Sequence, residues 1–71
     1  MQVLVFKTNI RYKKNVTAIQ PYIAKHPDIK KWNVDLKDVD KILRVETIDL
    51  HPAKIEELVK SAGYYCEELS G

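Results

Sequence analysis

Cysteine is nearly missing from this chain: Cys66 is the only one in 71 residues. A single thiol excludes an internal disulfide framework and is what a reducing compartment leads one to expect. Long apolar runs are missing as well. The run Val3–Phe6 is broken by Lys7 and Arg11, far short of a signal-peptide core or of the ~20 apolar residues that cross a membrane. A cytoplasmic location is therefore the default expectation, with no membrane partner. Charge of one sign is scarce too: 12 Lys and Arg against 10 Asp and Glu leave a net charge of +2, too little to argue for nucleic acid. No serine, histidine and carboxylate stand in positions that suggest nucleophilic catalysis, so the chain is not read as an enzyme and no cofactor is expected.

What is there describes one small folded unit. With 45% hydrophobic and 31% charged residues the composition is globular rather than disordered. Residues 1–71 leave room for a single domain, and a chain of this size buries only about 60% of its unfolded surface. Its core is thin, with little spare stability.

The elements follow from periodicity. Gln2 to Thr8 reads as a strand with Leu4, Phe6 and Thr8 on one face and Val3 and Val5 on the other; apolar residues on both faces predict a central position. Val16, Ile19 and Ile23 recur at helical spacing with Tyr22 beside them, and Asn15 suits the N-cap. Pro21 lies inside this helix, which predicts a kink or a late start. His26 and Pro27 end it. Trp32, Val34 and Leu36 alternate with polar residues as a half-buried strand, and 37–40 connects it to a second, Ile42 to Thr47, in an antiparallel hairpin. Pro52 opens a second helix beside His51, with the stripe Ile55, Leu58, Val59 and Ala62, Lys60 in its last turn and Gly63 beyond. Tyr64 to Leu69 makes a last strand, with Tyr64 and Cys66 on one face.

The order βαββαβ predicts an α+β, ferredoxin-like arrangement: a four-stranded antiparallel sheet with two helices on one face. Strands two and four fall at the edges, where pairing would permit a weak homodimer besides the monomer. The first loop, the hairpin near Asp38 and the Gly63–Tyr64 turn then share one end, and His26 and His51 share the other.

Phe6–Val16, the turn Pro27–Ile29, Trp32–Asp35, Lys41–Glu46 and Ala62–Tyr64 together resemble the heavy-metal-associated domain of copper chaperones and P-type ATPases. The resemblance runs from about Val3 to Leu69. In that family the first loop reads approximately Met/Ile-x-Cys-x-x-Cys. Placing Ile10 on its apolar position puts Tyr12 and Asn15 where the two thiolates should be. Paired thiolates at a helix start suit soft Cu(I) or Zn(II), and the positive helix end lowers their pKa. A phenol and a neutral amide are poor donors to a soft cation, so the implied transfer site is expected to be lost. Tyr12 is expected to close over that site against Tyr64.

Two readings of function follow. In the first, the chain keeps the scaffold and the docking end, and Arg11, Lys13 and Lys14, with Tyr12 and Tyr64, meet an acidic protein surface through charge-steered association. In the second, Cys66, His26, His51 or a second subunit completes a weak metal site. Cys66 on an inward-facing strand position also fits a small buried hydrophobe. Nucleic-acid binding is not expected, since the third strand carries no aromatic platform. An acyl-phosphate hydrolase of this topology would use an arginine such as Arg11, but the loop lacks the glycines that let backbone amides wrap an anion.

Overall fold

Alternation on the central strands decides the architecture. The computed structural model describes residues 2–69, in the order β1 (Gln2–Thr8), α1 (Lys13–Ala24), β2 (Ile29–Asp35), β3 (Ile42–Thr47), α2 (Pro52–Ser61) and β4 (Cys66–Glu68). The sheet runs β2-β3-β1-β4 and every pair in it is antiparallel. β1 is central and β2 and β4 are the edges, as the sequence predicts.

The register puts the buried residues of β1 and β3 opposite each other: Leu4 faces Val45 and Phe6 faces Leu43. On β2, Trp32 pairs with Val45 and Val34 with Leu43, so the half-buried tryptophan lines the same face at the core's rim. Ile19 and Ile23 of α1 and Ile55 and Val59 of α2 join this cluster. Both helices therefore cover one face of the sheet. Each large side chain so buried contributes roughly 1.5–3 kcal/mol, and a core this small relies on every one.

Several boundaries differ from expectation. β2 begins at Ile29, not at Trp32, because Ile29 pairs with Thr47 across an irregularity between Ile29 and Lys31. β4 is only three residues long, although the Leu69 N–H still donates to the Val5 carbonyl at 2.9 Å. Helix α1 starts at Lys13 and runs through Pro21 without the late start. Pro21 leaves the Thr17 carbonyl without its helical donor, but both residues are exposed, so water can satisfy it.

The ends of α2 are chemically explicit. His51 is itself the N-cap, its Nδ1 accepting from the Ala53 N–H at 3.1 Å, with Pro52 following it. At the other end Tyr64 N–H donates to the Val59 carbonyl and Gly63 N–H to that of Lys60. That is a Schellman closure, and it requires the left-handed φ of +94° that Gly63 adopts.

Candidate functional site

The first loop, 9–12, leaves β1 at Thr8 and enters α1. Thr8 is buried and makes three bonds that fix the exit: its N–H donates to the Asp40 carbonyl at 3.1 Å, its hydroxyl donates to the Lys41 carbonyl at 2.6 Å and accepts from the Ile10 N–H at 3.2 Å. Lys41 sits at φ +50°, an unfavourable region for lysine. It is held there by Thr8 and by its own ammonium donating to the Leu36 carbonyl at 2.7 Å. Sequence reading missed this clamp; threonine two residues before an amide it can accept from is its only local signal. Ile10 then turns fully inward as the loop's apolar anchor.

Tyr12 and Asn15 occupy the N-cap and third positions of α1. Asn15 is therefore not the N-cap, as its residue type predicts. It performs the capping from inside the helix: its Oδ1 accepts from the N–H groups of Tyr12 at 3.0 Å and Arg11 at 3.3 Å. Its Nδ2 donates to the Tyr64 hydroxyl at 3.0 Å. Both polar atoms of the amide are thus engaged.

Tyr12 is expected to close over the loop against Tyr64, but its ring is largely exposed. The Tyr64 hydroxyl accepts from the Asn15 amide, and the Tyr12 ring lies 59% exposed with the Lys14 ammonium 5.6 Å from its centroid. On the far side of the loop, Asn9 Oδ1 accepts from the Tyr65 N–H at 2.9 Å. Loop, hairpin and the 63–65 turn do share one end, joined by Thr8, Asn9 and Asn15. A cleft of about 420 Å³ opens there, lined by Thr8, Asn9, Arg11, Tyr12, Val39 and Lys41, with Val39 90% exposed at its lip.

The charges around it are unequal in use. Lys7 lies 3.9 Å from Asp40, both about half exposed, a pair worth little. Among the described residues no carboxylate stands within 4 Å of Arg11, Lys13 or Lys14.

The other candidate ligands are scattered. Cys66 is 1% exposed, and its thiol is pushed up to about 12, first by burial and then by Glu56, against a smaller opposing pull from Lys60. A thiol so protonated is a poor ligand and nucleophile. His26 and His51 lie at the opposite end, and each has Nδ1 occupied as an acceptor, from the Asp28 N–H at 3.4 Å and the Ala53 N–H at 3.1 Å. Among the described residues no group of three or more His, Cys, Asp or Glu side chains is placed to hold a metal ion, and no helix is long and apolar enough to cross a membrane.

The element order and the strand order β2-β3-β1-β4 define the ferredoxin-like βαββαβ fold. Solved structures agree. The N-terminal domain of PacS from Synechocystis PCC6803 is similar with a TM-score of 0.81 and 21% identity, over 99% of this chain and 100% of that one. The yeast copper transporter domain Ccc2a, solved in apo and Cu(I)-loaded states, gives a TM-score of 0.84 at 15% identity, over 99% and 97%. The Atx1–Cu(I)–Ccc2a complex matches at 0.81 and 15%, again over 99% and 97%. At such identities the likeness establishes the fold. No family model matches the sequence, and no curated protein does.

Proposed function

We propose that this chain is a non-enzymatic interaction module that keeps a metal-trafficking scaffold without the thiolate pair, and that it docks an acidic protein surface at the loop end. A cytoplasmic setting belongs to the same reading. The observation that carries it is the placement of charge. Lys13 and Lys14 occupy the first two positions of α1, and no acidic residue shares that first turn. Cations at the positive end of a helix cost about 0.3–1 kcal/mol each, so stability does not account for them. Arg11 extends the basic cluster, Tyr12 and Val39 place apolar surface beside it, and Tyr64 sits behind Asn15. Charged rims of this kind steer association. That a structure of the same fold is known engaged with a partner protein, the Atx1–Cu(I)–Ccc2a complex, supports docking as a use of the scaffold.

Metal handling is the competing role, and the loop chemistry separates the two. Titration with Cu(I) and with Zn(II) under reducing conditions is expected to show no saturable binding tighter than about micromolar, since phenol and amide do not suit soft cations. Tyr12→Cys combined with Asn15→Cys is expected to create tight Cu(I) binding. A double variant that folds but ignores Cu(I) means the loop register is wrong. For the docking surface, reversing charge with Lys13→Glu and Lys14→Glu should abolish capture of partners in a pull-down; undiminished capture removes the basic cluster from the proposal.

A further inference from the structure

A groove of different chemistry runs between the two helices, from the end of α1 along α2. Lys54, Leu58 and Ser61 form one stripe of α2, at spacings of four and three. They face Tyr22 near the end of α1 and the Lys25–Pro27 segment after it, around a groove of about 360 Å³. Tyr22 stands about 14 Å along α1 from Lys13, at a rise of ~1.5 Å per residue. Its apolar lining comes from Tyr22, Pro27 and Leu58. Apart from the Tyr22 phenol, the ionisable groups that line it are Lys25, His26 and Lys54, and no carboxylate does.

These basic groups are available. His26 accepts at Nδ1 from the Asp28 N–H, which assigns the proton of the neutral ring to Nε2 and makes that atom a donor. Lys54 is paired with Glu57 at 3.8 Å, where the side chains are 42% and 68% exposed; such a contact yields readily to a better acceptor. The groove's size falls at the small end of ligand sites, which span ~300–1,000 Å³. By contrast, the neighbouring cleft on α2 is lined by Glu56 and Glu57 beside Lys60 and offers an anion no such reception.

We propose that this groove binds a small amphiphilic anion, an aromatic ring or short apolar chain bearing a carboxylate or phosphate. The apolar part lies on Tyr22 and Leu58, and the anionic oxygens lie between Lys25, Lys54 and the His26 Nε2–H. Charge-assisted hydrogen bonds hold the head group, and the apolar lining selects against bare inorganic anions.

The test is an amide chemical-shift titration of the full chain with phenyl phosphate, benzoate, inorganic phosphate and phenol. Saturable shifts confined to 22–27 and 54–61 are expected with one or both aryl anions, and whichever binds tighter identifies the head group. Inorganic phosphate should bind about tenfold more weakly or not at all, because it forfeits the apolar contact. Phenol should produce no saturable shift. Lys25→Gln with Lys54→Gln, both at accessible positions, should weaken the aryl anion about tenfold or more, while Lys13→Glu with Lys14→Glu leaves it unchanged. Shifts that spread over all lysines without saturating overturn the proposal. So does saturable binding that survives the Lys25 and Lys54 substitutions.

Discussion

At the scale of single residues, Thr8 is the position on which the loop end depends. Its hydroxyl joins the Lys41 carbonyl to the Ile10 N–H inside the protein. Thr8→Val keeps the shape but leaves both groups unpaired, and is expected to destabilise the fold by about 2–3 kcal/mol, read from urea denaturation. Thr8→Ser should recover most of that loss. None of this was legible beforehand, because a strand-face threonine looks the same whether its hydroxyl bonds across 33 residues or meets water. Asn15 illustrates a nearer miss. Its residue type announces a helix start, and the start is there, but the same oxygen can cap from the third position when the residue at the N-cap, here Tyr12, has no short acceptor of its own. The Tyr12 ring, by contrast, stays exposed beside the Lys14 ammonium, while the Tyr64 hydroxyl accepts from the Asn15 amide.

At the scale of elements the sequence is a better guide. The period-two stripe on β1 and the 3.6-residue stripe of Ile55 and Val59 survive folding because each buries one face against the shared core. Boundaries fared worse where pairing, not pattern, decides them: Ile29 is drawn into β2 by Thr47, and β4 stops at Glu68. The α2 terminus was readable from Gly63, and it yields a clean prediction. A Cβ at Gly63 would meet nothing within 4 Å, so Gly63→Ala should cost only the left-handed backbone penalty, about 1–2 kcal/mol. Thermal and urea unfolding measure it. Pro21→Ala tests the other helix: it restores a donor to the Thr17 carbonyl, and the midpoint of unfolding should rise, by up to about 3 kcal/mol in stability.

At the scale of the whole molecule, burial of Cys66 ties stability to alkaline pH. The thiol titrates at an ordinary value of 9.0 when unfolded and at about 12 when folded. Below pH 9 both states keep the proton and the native advantage is fully present. Between pH 9 and about 12 the unfolded chain releases it first, so stability falls as pH rises. Cys66→Ala should flatten the Cys66-dependent part of that decline in urea melts taken across this range. Alkylation of the native thiol should likewise be slow and accelerate on unfolding.

The borders of the sheet carry one more consequence. β2 has an irregularity between Ile29 and Lys31, and β4 spans three residues ending in Glu67 and Glu68. Neither margin offers a neighbouring strand a long, straight row of unsatisfied amides to latch onto. Templated stacking into fibrils is thereby disfavoured at both flanks of so slight a fold.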